Sequence, residues 1–244
     1  MKLTLDRVSK SFEGKQVLDE ISLDVKDGEF VSLIGPSGSG KSTLFNLIGG
    51  LLSPDEGDII MSGKTITNKS GHISYMPQDP SLLPWRTTLQ NVLLGQELQG
   101  IQETDKAIAM LEKAELGDVI HSYPHELSGG MKQRAAFIRA LMSPQSFMCL
   151  DEPFSALDEF TRLDMQKWLL SIWEEHQQSV LFITHSIDEA LFLSDKIVIL
   201  STNPAQVKKV IDIPFARPRH EDILLSTSFL EWKKYLLDVV QSNL

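Results

Sequence analysis

One cysteine, Cys149, occurs in the 244 residues, which excludes an internal disulfide. It sits in the apolar run Phe147-Met148-Cys149-Leu150 and reads as a small core residue of a buried strand, not as a reactive thiol. No apolar run approaches the roughly 18 residues that span a bilayer, and residues 1–7 lack the apolar core of a signal peptide. The expectation is a cytoplasmic chain that does not cross a membrane by itself. Positive charge is also scarce: 23 Lys and Arg against 33 Asp and Glu give a formal net charge of −10. An acidic chain without a basic run is poorly suited to nucleic-acid phosphates or to an anionic bilayer. Work at a membrane would need another protein to hold it there. The composition, 42% hydrophobic and 23% charged, is that of an ordinary globular chain, with no repeat and no low-complexity segment.

What is present starts with Gly-Pro-Ser-Gly-Ser-Gly-Lys-Ser over residues 35–42, directly after the apolar run Phe30-Val31-Ser32-Leu33-Ile34. This spacing is that of a strand–GxxxxGK[ST]–helix phosphate-binding loop. Gly35, Gly38 and Gly40 let the backbone curl so that successive N–H groups form an anion nest, and the following helix adds its positive dipole end. Pro36, Ser37, Ser39 and Thr43 complete the loop and helix start. Lys41 is expected to reach the β- and γ-phosphates of a nucleoside triphosphate, and the Ser42 hydroxyl to ligate Mg²⁺.

Around this loop the texture alternates. Leu3, Leu5, Val8, Val17-Leu18, Ile21, Leu23 and Val25 indicate short half-buried strands with turns at Glu13-Gly14 and Asp27-Gly28. Further strands are predicted at 59–61, 73–76, 147–150, 180–184 and 196–200. Helices are predicted at 41–48, at 88–114 with a break at Gly100, and at 130–142, 160–176, 187–193 and 221–240. Strands alternating with helices imply an α/β fold with a parallel sheet covered on both faces, holding a helical insert.

The strand at 147–150 runs into Asp151-Glu152, two carboxylates at the sheet edge where open α/β folds bind ligands. Asp151 fits the carboxylate that holds Mg²⁺, and Glu152 the group that polarises a water for attack on the γ-phosphate. Leu127-Ser128-Gly129-Gly130-Met131-Lys132-Gln133-Arg134 opens another helix, with Ser128 as its N-cap. Together these segments resemble the ATP-binding cassette ATPases, whose signature sequence matches 127–134 with Met131 in place of the commoner Gln. The resemblance covers almost the whole chain. It implies a P-loop NTPase (RecA-like) core with an N-terminal antiparallel β subdomain, 1–85 and 146–213, a helical subdomain, 86–145, and a tail helix, 214–244, all in one ATPase domain.

It also assigns roles to residues that are weak signals alone. Phe12 resembles the aromatic that stacks on adenine, though by itself it reads equally as a core residue. Gln78 resembles the glutamine linking the γ-phosphate site, and its Mg²⁺, to the helical insert. Ser155-Ala156-Leu157-Asp158 looks like the dimer-contacting loop, with helix capping as the alternative for Asp158. His185 looks like the switch histidine near the γ-phosphate. Ser128, Gly129 and Gly130 offer a second anion site which, in the family, closes on the ATP held by the other subunit of a head-to-tail homodimer. The implied catalytic set is Glu152, His185 and Gln78, with ATP and Mg²⁺ bound.

Gln78-Asp79-Pro80-Ser81-Leu82-Leu83-Pro84-Trp85-Arg86-Thr87 and Phe215-Ala216-Arg217-Pro218-Arg219 resemble importers of nitrate, sulfonates, taurine and related solutes such as thiamine precursors. That resemblance implies a peripheral subunit on the cytoplasmic face of the membrane, working with permease subunits and, indirectly, an extracytoplasmic solute-binding protein. The Leu82-Leu83-Pro84-Trp85 cluster is either a permease anchor or a packed part of the insert. An exporter cassette, or a soluble cassette such as an iron–sulfur assembly factor, is the alternative.

Overall fold

Apolar and polar residues alternate along β1 (Leu3–Phe12), which turns into β2 (Lys15–Val25) through Glu13 and Gly14. Both turn residues have positive φ, 51° and 79°, the geometry that matches the right-handed twist of a hairpin. Next come the fully buried β3 (Phe30–Ile34), α1 (Lys41–Ile48), β4 (Glu56–Met61), β5 (Lys64–Thr65) and β6 (Ser74–Met76). A helical stretch follows: α2 (Thr88–Val92), α3 (Leu94–Glu97), α4 (Thr104–Lys113) and α5 (Gly129–Leu141). The chain then alternates through β7 (Phe147–Asp151), α6 (Glu159–His176), β8 (Ser179–Ile183), α7 (Ile187–Leu193), β9 (Lys196–Leu200) and β10 (Val207–Asp212), and ends in α8 (Thr227–Ser242). This computed structural model describes residues 2–155, 157–202 and 204–242.

The strands form two sheets. One is antiparallel in the order β2-β1-β4-β5, and the other runs β10-β9-β3-β8-β7-β6. From β9 to β6 every pairing in the larger sheet is parallel. Its central strands β3, β7 and β8 are buried on both faces, as burial between two layers demands. Val31, Leu33, Cys149, Leu181 and Ile183 face α1 and the antiparallel sheet, while Phe30, Met148, Leu150, Val180 and Phe182 face α6, α7 and α8. Cys149 is a buried free thiol whose pKa is pushed up by burial, as expected of a core residue. A third cluster, including Val92, Leu111 and Ile138, holds α2, α4 and α5 together.

The strand β5 and the division of the stretch before Gly100 into α2 and α3 were not predicted, and two larger features also differ from the sequence reading. The parallel sheet carries an antiparallel edge strand, β10, which was not predicted. Its Lys208, Lys209 and Asp212 keep it from reading as an apolar strand, and such charges suit an exposed edge. The tail is not one helix over 221–240. Residues Glu221–Leu225 form a 3₁₀ turn, and α8 starts only after Ser226. The Ser226 hydroxyl accepts the Phe229 N–H at 3.2 Å and donates to the Ile223 carbonyl at 2.7 Å, so it closes one element and caps the next.

The Arg-Pro-Arg segment clamps the tail to the core. Arg219 is buried and donates to the carbonyls of Leu191, Phe192 and Ser194, at 3.1, 3.0 and 2.8 Å, where α7 ends. It also reaches back to Phe215 O. Burial pulls its pKa down to about 10. Arg217 donates to Asp195 at 2.8 Å and to Leu193 O, and lies 4.0 Å from the Trp173 ring centroid. Arg219→Ala strips donors from several buried carbonyls, and we expect it to destabilise the protein by about 2–4 kcal/mol. Arg219→Lys restores less than half of this, since one ammonium cannot reproduce the planar fork. Urea melts of both variants measure it, and a loss below about 1 kcal/mol for the alanine variant would refute the clamp.

Candidate active site

Parallel strands deliver their carboxyl ends to one edge, and every residue just beyond those ends arrives there. Gly35 follows Ile34 of β3, Gln78 lies two residues past β6, Glu152 one past β7, and His185 two past β8. The strand order places β7 beside β6 and β8, and β8 beside β3. A cavity of about 340 Å³ opens at this edge. It is lined by Ser37, Gly38, Ser39, Gly40, Lys41, Ser42 and Thr43, with Gln78, Glu152 and His185 opposite and Val17 at its side.

The loop is shaped by its glycines. Gly40 has φ 76° at the N-cap of α1, and a Cβ there would fall 2.7 Å from Leu18. A Cβ on Gly35 would fall 2.8 Å from Ser39 Oγ and 3.1 Å from Leu200 O. Lys41 is buried, and its Nζ donates to the carbonyls of Gly35 and Pro36, at 2.8 and 2.9 Å. Burial pushes its pKa below the ordinary lysine value, with Glu152 and Asp151 pulling the other way. Burial raises the Asp151 carboxyl above the usual carboxylate range, against the opposing effect of the neighbouring Ser42 hydroxyl.

Glu152 is the point of convergence. Gln78 Nε2 donates to its Oε2 at 3.0 Å, and His185 Nε2 contacts its Oε1. Its backbone is in the left-handed region, φ 47°, and its N–H donates to Ile183 O at 3.0 Å. A non-glycine residue held there stores strain of about 1 kcal/mol or more, which the tie to β8 sustains. The arrangement fixes both carboxylate oxygens at the cavity wall while His185 remains half exposed.

Other predicted residues lie apart from this cavity. Phe12, at the end of β1, is 41% exposed, with Lys10 Nζ 5.5 Å from its ring centroid, and it does not line the cavity. Ser128 caps α5, accepting Met131 N–H at 3.3 Å, and with Gly129 it faces solvent. Neither they nor Gly130 line the cavity. Gly130 packs against Leu157, whose Cδ2 lies 3.3 Å from where a Cβ would be. Asp158 caps α6 through Thr161 N at 3.1 Å. Ala156 lies outside the described residues.

The segment after Gln78 is ordered by residues that the sequence reading missed. Asn91, fully buried on α2, accepts from Leu83 N at 2.7 Å and donates to the carbonyls of Leu83, Arg86 and Thr87. Arg139 donates to Pro80 O and Ser81 O, at 2.7 and 2.8 Å. Held this way, Leu82 packs inward and Trp85 is left 70% exposed, which overturns the packed alternative for Trp85. A buried polar residue on a short helix resembles a surface one in sequence, so Asn91 carried no signal.

The ABC transporter family model matches residues 18–155, across the phosphate loop, the Ser128 segment and the carboxylates. The chain belongs to the ABC transporter family. As an ABC importer ATPase it binds and hydrolyses ATP. It is 42% identical to an aliphatic sulfonates import ATP-binding protein from Bacillus cereus, over 97% of this chain and 95% of the relative. It is 40% identical to a bicarbonate transport ATP-binding protein from Synechocystis, over 99% and 89%. Among solved structures it resembles a dimeric ATP-binding cassette in a post-hydrolysis state bound to ADP and Pi. That match has TM-score 0.76 and 30% identity, over 88% of this chain and 100% of that one.

Proposed function

We propose that Glu152, Gln78 and His185 form the hydrolytic centre of this ABC importer ATPase. The observation that carries this is the contact of Gln78 and His185 with the two oxygens of one carboxylate, at the lip of the phosphate loop. In the proposed step Glu152 accepts a proton from the water that attacks the γ-phosphorus, and the bond to the ADP oxygen breaks. The backbone N–H groups of residues 37–43 and Lys41 Nζ hold the triphosphate, so Lys41 exchanges its carbonyl partners for phosphate oxygens. Phe12 supplies the stacking face for adenine. Ser42, Asp151 and Gln78 offer a hydroxyl, a carboxylate and an amide, a hard oxygen donor set that fits Mg²⁺. Among the described residues no group of three His, Cys, Asp or Glu could hold a metal ion, so substrate oxygens would complete the shell. Bound there, Mg²⁺ would supply charge neutralisation on the phosphates.

The exposed Ser128–Gly130 end of α5 cannot serve the cavity of its own chain and takes the γ-phosphate held by a second copy. Two composite sites in a head-to-tail homodimer follow. The dimeric cassette of similar fold supports this.

The segment after Gln78 presents the exposed Trp85 to a permease; no helix among the described residues is long and apolar enough to cross a membrane. The protein then sits peripherally on the cytoplasmic face. An extracytoplasmic solute-binding protein delivers a small solute of the nitrate, sulfonate or taurine class. The sulfonate and bicarbonate relatives support a small oxyanion. Trp85→Ala is expected to weaken permease binding at least tenfold, as loss of an aromatic anchor does, with ATP affinity and fold intact. Pull-down from membranes with the permease measures this; unchanged binding would remove Trp85 from the anchor. Identifying the co-purified chains and screening ligands of the binding protein tests the solute class.

A further inference from the structure

Glu189 lies in the first turn of α7 and is only 6% exposed, outside the nucleotide cavity. Both of its oxygens accept hydrogen bonds, Oε2 from the Thr184 hydroxyl and Oε1 from Gln166 Nε2 at 3.2 Å. Thr184 Oγ1 in turn accepts the Ser186 N–H at 3.0 Å, and the Ser186 hydroxyl accepts the Glu189 N–H at 3.3 Å. The residues on either side of His185 are therefore tied to one buried carboxylate.

Arg162 lies nearby, and its Nη2 donates to Leu157 O at 2.8 Å. Arg162 and Glu189 share a cavity of about 170 Å³ with Glu152 and His185. Leu157 is the residue against which Gly130 packs. A buried carboxylate persists only with good partners, and of the two side chains that donate to Glu189, Thr184 lies next to His185.

We propose that Glu189 is a positioning residue: through Thr184 and Ser186 it holds the His185 ring against Glu152. This rests on Glu152 and His185 being the hydrolytic groups. Glu189 touches no substrate, so its loss acts on turnover and not on binding.

Glu189→Ala is expected to lower kcat roughly 10- to 100-fold, the effect of a small displacement of reacting groups, with KM for ATP within about twofold. Thr184→Val cuts the same link from the other side and serves if the alanine variant does not fold. The double variant loses no more than the worse single one, because the two act as a unit. Glu189→Gln keeps roughly a third or more of kcat, since its amide oxygen still accepts from Thr184 while its nitrogen donates to the Gln166 oxygen. Wild-type kcat in folded Glu189→Ala or Thr184→Val, or losses that multiply in the double variant, overturns the proposal. His185→Ala is measured alongside. If it is slow while Glu189→Ala is normal, only the positioning role fails; if His185→Ala is normal, the hydrolytic reading falls and the positioning role with it.

Discussion

Glu152→Gln lowers ATP turnover by about 10²- to 10⁴-fold and leaves ATP affinity within about threefold, the range for loss of a positioned general base. The substitution keeps the shape of the side chain and an oxygen for the Gln78 amide, which donates at 3.0 Å in the wild type. What it removes is the negative charge and the second acceptor, which His185 contacts. The phosphate loop is untouched, and Lys41, Ser42 and the backbone of 37–43, the groups proposed to bind the triphosphate, keep their places in the cavity lining. Single-turnover hydrolysis and a nucleotide titration separate the two effects. A rate within tenfold of wild type would show that another group accepts the proton.

Ser128→Phe is expected to lower steady-state hydrolysis by about 10²-fold or more, although no atom of Ser128 lines the cavity that holds Glu152. The side chain sits exposed at the N-cap of a 13-residue helix. On the proposed composite site, a phenyl ring there blocks approach of a γ-phosphate held by a second copy and removes the Ser128 hydroxyl. Loss of the cap to Met131 costs about 1 kcal/mol, too little to unfold the domain. ATP binding to the isolated chain is therefore retained. Full activity in this variant would mean that α5 takes no part in the site.

Much of this was legible because the chemistry falls in short continuous runs. The spacing of Gly35, Gly40, Lys41 and Ser42 fixes a loop by itself, and Asp151-Glu152 announces a strand end. That Gln78 and His185 meet on Glu152 is another matter, since Gln78 lies 74 residues away in sequence and only the order of β6, β7 and β8 joins them. Strand β10 escaped notice because its lysines hide its apolar residues. Asn91, Glu189 and Arg219 are polar side chains that sequence treats as surface. Tertiary packing buries each of them and gives each a set of backbone or side-chain partners. The Arg-Pro-Arg segment was read as a family mark, and its physical role as a clamp on the end of α7 needed the fold.

In the proposed composite site the phosphate loop and the Glu152 cluster make one half and a second copy supplies the other. The most direct test is the solution mass of the Glu152→Gln protein with ATP, with ADP, and with ATP after Ser128→Phe is added. Dimer with ATP, monomer with ADP, and an ATP-bound monomer for the double variant is the predicted result. A double variant that still dimerises with ATP, or that loses ATP binding as a monomer, would contradict it.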